Sequence, residues 1–190
     1  MEIKERFKPA DRQEWRLWLS ENYASKKEIW LIFEKDKVQQ KKLEYLDAVE
    51  EAICFGWIDG IAKKINQNHL AIRFTPRRRK SKWTELNKER ARRLIKLGEI
   101  EQSGLATLPD LNISNFEIPE YIKKELMKDP DVWNNFQGFP DLYKRVRISY
   151  ILEFKEGTPE FKKRLTNFIK KTKENKLFGN WNDNNRLLNY

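Results

Sequence analysis

The stretch Tyr45-Leu-Asp-Ala-Val-Glu-Glu-Ala-Ile-Cys-Phe-Gly-Trp-Ile-Asp-Gly60 changes its period in the middle. From Tyr45 to Phe55, the residues Leu46, Val49, Ala52 and Ile53 recur at helical spacing. Gly56 stands where a helix closes on a left-handed residue, a conformation open to glycine because it lacks a Cβ. Beyond it, 57–65 and 69–74 read as two strands, with Asn66-Gln67-Asn68 as the turn between them. Pro76 has no N–H for a ladder bond and stops the second strand. A helix that runs directly into a hairpin sets the fold class of the first half as α+β.

Upstream, Asp11 followed by Glu14 reads as a capping box that opens a helix. Trp15, Trp18, Leu19 and Tyr23 then mark one face of it. Residues 28–35 (Glu-Ile-Trp-Leu-Ile-Phe-Glu-Lys) form a short β-branched and aromatic run bounded by charges, the pattern of a strand buried on both faces. Residues 35–42 are polar and read as a loop. Downstream, 83–97 is a helix with Trp83, Leu86, Leu94 and Leu97 on one face and Gly98 closing it. Glu85 and Glu89 precede Lys88, Arg92 and Arg93 at i+3 or i+4, which offsets part of the repulsion along that helix. The proline- and asparagine-containing stretch 107–118 reads as a linker, and everything after it is helical. Residues 121–127 form a short helix that ends before Asp129-Pro130, and 132–136 form one more turn. Leu142, Val146, Tyr150, Ile151 and Phe154 mark a longer helix. Thr158 caps the last one, with Pro159 at its first position and Phe161, Leu165, Phe168 and Ile169 as its buried stripe. The asparagine-rich tail, 178–190, reads as loosely ordered. The expected architecture is a small antiparallel-rich β-sheet with helices in an N-terminal part, about 1–106, followed by an α-helical part, about 119–177. Strands first and helices after favours segregated layers over βαβ winding.

The charge is as uneven as the fold. The chain of 190 residues carries a formal net charge of +10, and 36% of it is charged. Between Lys63 and Lys96 there are thirteen Lys/Arg and two acids, so this window alone holds more positive charge than the whole chain. An uneven charge describes a surface and its partners, not a fold. With 39% apolar residues, among them seven Trp, six Tyr and eleven Phe, the chain has material for a real core. One cysteine, Cys54, excludes an intramolecular disulfide. The N-terminus lacks the apolar region of a secretory signal, and no stretch reaches the length of a membrane span, so the expected location is cytoplasmic.

Four kinds of chemistry compete with plainer readings. Cys54 as a nucleophile needs a base, and the one histidine, His69, stands fifteen residues on; beside Ile53 and Phe55 a buried cysteine acts as a small hydrophobe. Asp59, before Gly60, has the placement of a general base and equally of an ordinary turn aspartate. The acids Asp47, Glu50 and Glu51 read as a partly solvated helix face, not as its catalytic partners. Trp57, Asp59 and His69 are candidate lining of a pocket. One His and one Cys do not make a zinc set, and no phosphate-cradling glycine loop is present, so no metal and no cofactor is expected. The fourth case is the basic segment Arg73, Arg77, Arg78, Arg79, Lys80 and Lys82, followed by Trp83. Like charges held this close call for an anionic partner or for intramolecular acids, and arginine is the preferred fork for phosphate and carboxylate. Trp57 and Trp83 would add stacking faces for single-stranded nucleic acid. A solvated loop neutralised by acids around Glu44–Glu51 explains the same residues.

Three stretches carry a family resemblance. The first is Tyr45-x-x-Ala48-Val49-x-x-Ala52-x-Cys54-Phe55-Gly56-Trp57-Ile58-Asp59-Gly60. The second is Phe74-Thr75-Pro76-Arg77-Arg78-Arg79-Lys80-Ser81-x-Trp83-x-x-Leu86-Asn87. The third is Pro119-x-x-Ile122-x-x-x-Leu126-x-x-Asp129-Pro130, then Phe136, Phe139-Pro140, Tyr150-Ile151 and Lys155. From about Trp15 to Leu177 this order resembles the YdeI/OmpD-associated family of bacterial proteins. Glu156-Gly157-Thr158-Pro159 departs from that family's usual continuation. The resemblance implies a non-enzymatic role in protection against bacteriocins and cationic antimicrobial peptides, and it supplies no catalytic residues. The reading of the sequence is therefore a non-catalytic stress-protection protein that binds an anionic protein, nucleic acid or ligand through Arg73–Lys82. A nucleic-acid-binding protein and an enzyme acting on a small anion, with Asp59 or His69 as base, are the alternatives.

Overall fold

The structure is a computed structural model and describes residues 3–34, 43–78 and 81–190. The expected loop at 35–42 and the candidate residues Arg79 and Lys80 lie outside the described residues. The chain divides into two compact units: residues 1–82 with 90–109, and residues 83–89 with 110–190.

The first unit is α+β. Strands β1 (Arg6–Phe7), β2 (Ile29–Glu34), β3 (Trp57–Lys64) and β4 (His69–Pro76) form one sheet in the order β1-β2-β4-β3. β1 pairs in parallel with β2, while β4 runs antiparallel to both β2 and β3. The β3–β4 hairpin closes as its sequence foretells. Asn66 Oδ1 accepts from the N–H groups of Asn68 (2.9 Å) and His69 (2.8 Å), an Asx turn built from the side chain itself. A register shift between Asp59 and Ala62 places an extra residue on β3 beside Gly60.

Helices α1 (Arg12–Asn22) and α2 (Tyr45–Cys54) cover the sheet. Asp11 caps α1 by accepting from the Glu14 N–H at 2.9 Å; Glu14 reaches back to the Ala10 N–H, one residue earlier than a capping box requires. Trp15, fully buried, joins the layers. Its indole N–H donates to the Ala48 carbonyl of α2 (3.1 Å), and its ring meets Phe74 of β4 edge-on at 5.5 Å. α2 departs from the expected solvated acidic face. Glu50 and Glu51 are each 1% exposed. Buried carboxylates are costly unless paired, and here they are: Arg12 and Arg93 reach Glu50 at 2.9 Å, Arg12 and Arg16 reach Glu51 at 2.5 and 2.8 Å. Burial alone would lower Arg12, yet Glu51, Glu50 and Asp47 outweigh it and hold the guanidinium above its ordinary value.

Helix α3 (Glu85–Lys96) crosses the division between the units, and a short α4 (Gln102–Leu105) follows in the first. The second unit is helical: α5 (Glu120–Met127), α6 (Pro130–Gly138), α7 (Asp141–Ile151) and α8 (Pro159–Lys173), after a 3₁₀ turn at Ile113–Asn115. Its core is one cluster around Ile122, Leu126, Phe136, Tyr143, Ile151 and Phe168. α6 is a full helix where the spacing suggested a single turn, because Asp129 caps it and Pro130 occupies its first turn. α8 opens as read, with Thr158 Oγ1 accepting from the Phe161 N–H. The tail corrects the expectation of loose order. Asp183 and Leu187 are buried, Trp181 meets Tyr143 edge-on at 5.5 Å, and the Tyr190 hydroxyl donates to Glu89 at 2.8 Å. Asp183, Asn184 and Asn185 hold positive φ, which these residue types tolerate better than most, so the asparagines there serve turns.

Candidate anion-binding site

The corner at 54–60 is structural. Gly56 has φ +75°, and a Cβ there would stand 2.8 Å from the Ser103 carbonyl oxygen. The turn is closed from the other side as well, since the Arg77 N–H donates to the Gly56 carbonyl at 2.8 Å. A Cβ on Gly104 would fall 2.2 Å from the Cys54 carbonyl oxygen, so α4 lies against the end of α2 at glycine distance. Cys54 itself is fully buried, and burial, with Glu51 beside it, pushes its thiol up to about 12 despite Arg16 nearby. A thiol held neutral is not a nucleophile.

The basic segment separates into cations built into the fold and cations facing solvent. Arg73 lies on β4 opposite Trp30 of β2, and its guanidinium is bound by Glu28. Arg77 is 8% exposed. Burial pulls it down to about 10, opposed by the charge of Asp59. Arg78 and Lys82 are exposed. Trp83 is half-buried and belongs to the second unit.

The candidate pocket residues do not converge. Trp57 is fully buried, edge-on to Trp18 at 5.8 Å, with its indole N–H donating to the Tyr23 carbonyl at 3.2 Å; it offers no face to a base. Asp59 accepts from the Tyr45 hydroxyl at 2.6 Å and sits opposite Phe74. His69 is five residues away along β4, opposite Glu34, with Nδ1 at 3.0 Å from Asn66 Oδ1. At about 3.4 Å per residue the two candidate bases are roughly 17 Å apart. The described residues contain no group of three or more His, Cys, Asp or Glu able to hold a metal ion.

The second unit carries a further cationic feature, outside the basic segment of the sequence. In the second unit Arg147 and Tyr150 of α7, one turn apart, meet Arg164 of α8 together with Phe154 and Phe178. Arg147 Cζ is 4.0 Å from the Phe178 ring centre and 4.9 Å from that of Tyr150; Arg164 Cζ is 3.5 Å from Tyr150 and 4.3 Å from Phe154. The spacing Arg147-x-x-Tyr150 was the available signal, since i,i+3 residues share a helix face. The partners from α8 and the tail were not legible locally.

The fold and its charges thus define a basic protein of two units, one α+β and one helical. Residues 7–107 match the family described as a domain of unknown function (DUF8412); that is more than half of the chain, which belongs to this family. Residues 115–175 match the family described as bacteriocin-protection, YdeI or OmpD-associated, and form such a domain. Two of the three motifs that carried the resemblance therefore fall in the first match and the third in the second. No curated protein and no solved structure matches the chain.

Proposed function

We propose that this chain is a non-catalytic, cytoplasmic protein of bacteriocin or antimicrobial-peptide resistance that holds an anionic partner on the turn after β4. The observation that carries the reading is the exposure of Arg78 and Lys82, on either side of two further cations in the sequence, while Arg73 and Arg77 are engaged in the fold. The match over 115–175 supports the protective setting. A net charge of +10 repels a cationic peptide, so the partner is an acidic cellular component and the peptide is not sequestered.

The test is a pull-down from cell lysate, with and without nuclease, using the wild-type chain and an Arg78→Glu/Lys82→Glu variant. Reversal at these two positions leaves the buried guanidinium of Arg77 alone, so the fold should survive. The expected result is a partner retained after nuclease and absent from the variant. A partner that the variant holds as well as the wild type does refutes the proposal. Capture that disappears with nuclease moves the reading to nucleic acid.

A further inference from the structure

The two arginines of the aromatic stack in the second unit are in different states. Arg164 is satisfied: it donates to the Tyr150 carbonyl at 2.6 Å, to Glu153 at 2.7 Å and to Glu160 at 3.3 Å. Arg147 is not. No carboxylate among the described residues pairs with it, and its Nε is buried without an acceptor. Burial holds its guanidinium below its ordinary value, with the nearby charge of Arg164 acting in the same direction. A buried donor left without an acceptor is unfavourable, and more so when it is charged. Room has nevertheless been made for it. Gly179, at φ +76°, lies so close that a Cβ would stand 2.7 Å from Arg147 Nη1.

Beside this guanidinium is a cavity of about 340 Å³, lined by Arg147, Tyr150, Lys163, Arg164, Asn167 and Glu160, with Phe178 as a wall. Glu160, the carboxylate of the lining, is engaged by Arg164 at 3.3 Å and approached by Lys163 at 3.8 Å. The lining therefore keeps a positive balance. Its volume is at the lower end of the range for small-molecule sites, about 300–1,000 Å³.

We propose that this cavity binds the phosphate group of a small ligand, with Arg147 as the principal cation and Lys163 and Asn167 as flanking donors. A guanidinium packed against the rings of Tyr150 and Phe178 loses little freedom on binding and presents a planar fork that matches phosphate oxygens. A dianion also relieves the repulsion between Arg147 and Arg164. Donors come from both α7 and α8, and three cations against the single acid Glu160 favour a dianion such as phosphate over a singly charged carboxylate. The site is in the second unit and is independent of the turn after β4.

Calorimetric titration of the full chain with inorganic phosphate and with phenyl phosphate, at fixed ionic strength in chloride, measures the binding. Flotation with phosphatidylcholine vesicles, with and without phosphatidic acid, asks whether the phosphate belongs to a lipid headgroup. The expected result is saturable binding of at least one of these probes, weakened tenfold or more by Arg147→Gln and severalfold by Lys163→Gln. Binding confined to phosphatidic acid vesicles and weakened in the same way assigns the phosphate to a lipid. Lys163 is exposed, so its variant folds even where removal of Arg147 disturbs the stack. Unchanged affinity in Lys163→Gln, or no saturable binding of any probe, overturns the assignment.

Discussion

Single atoms decide the corner around Cys54. Gly104 has no positive φ to explain it; it is glycine because the Cys54 carbonyl oxygen occupies the space of a Cβ, 2.2 Å away. Gly104→Ala forces α4 off the end of α2, and overpacking of this kind typically costs about 1–3 kcal/mol. Gly138, the last residue of α6, has nothing within 4 Å of its Cβ position and no positive φ. There Gly138→Ala should be neutral, or stabilising by about 0.4–1 kcal/mol through the unfolded chain. Thermal or urea unfolding of the two variants checks the contrast; equal effects would mean that the close approach at Gly104 is not what fixes the residue. Cys54 yields a second expectation. With the thiol buried and pushed up to about 12, it should ignore a thiol reagent at pH 8 in the native state and react fully in denaturant. Fast native-state modification would return it to the reactive groups of the chain.

Among the elements, most short-range signals are legible in the sequence, and contacts with distant partners are not. Helix α2, the hairpin and the cap of α8 follow from spacing, an Asx turn and Thr158-Pro159, all of them short-range physics. Asp129-Pro130 shows the limit. The pair reads as the end of α5, and it is equally the cap and first turn of α6, so the same residues close one helix and open the next. The burial of Glu50 and Glu51 depends on Arg12, Arg16 and Arg93, all of them distant in the sequence, and no local pattern reveals that. The Asp129 cap is testable through pH. Its carboxylate bonds Lys173 at 2.7 Å and the N–H groups of Asp131 and Val132 at 3.0 and 3.4 Å. The Lys173 bond first, then the backbone bonds, hold its pKa below the usual carboxylate value. A depressed folded pKa contributes stability above about pH 4, and that stability is lost as pH falls through the folded value. Asparagine caps as well as aspartate but carries no charge. Asp129→Asn should therefore lower stability at pH 7 and converge on the wild type at low pH. A difference independent of pH would show that the charge contributes nothing.

The charge belongs to the molecule as a whole and is where sequence and structure divide most sharply. The net +10 and the crowding of thirteen cations between Lys63 and Lys96 are visible in the sequence. Which cations still face outward is not, because Glu28 and Glu50, which engage Arg73 and Arg93, lie outside that window. Any chain of this charge binds a polyanion such as heparin, and it does so without a specific site. The turn after β4 must therefore be separated from the charge of the whole. Arg78→Glu/Lys82→Glu and Lys124→Glu/Lys170→Glu each replace two exposed cations by acids and lower the net charge from +10 to +6. If affinity follows total charge alone, both variants elute from heparin at the same reduced salt. If the turn is a binding surface, the first elutes at clearly lower salt than the second. Its dependence of log affinity on log salt is also shallower, by about one unit for each anionic group of heparin that the turn no longer neutralises. Identical elution of the two variants would leave the uneven charge as a property of composition and remove the turn after β4 as a binding site.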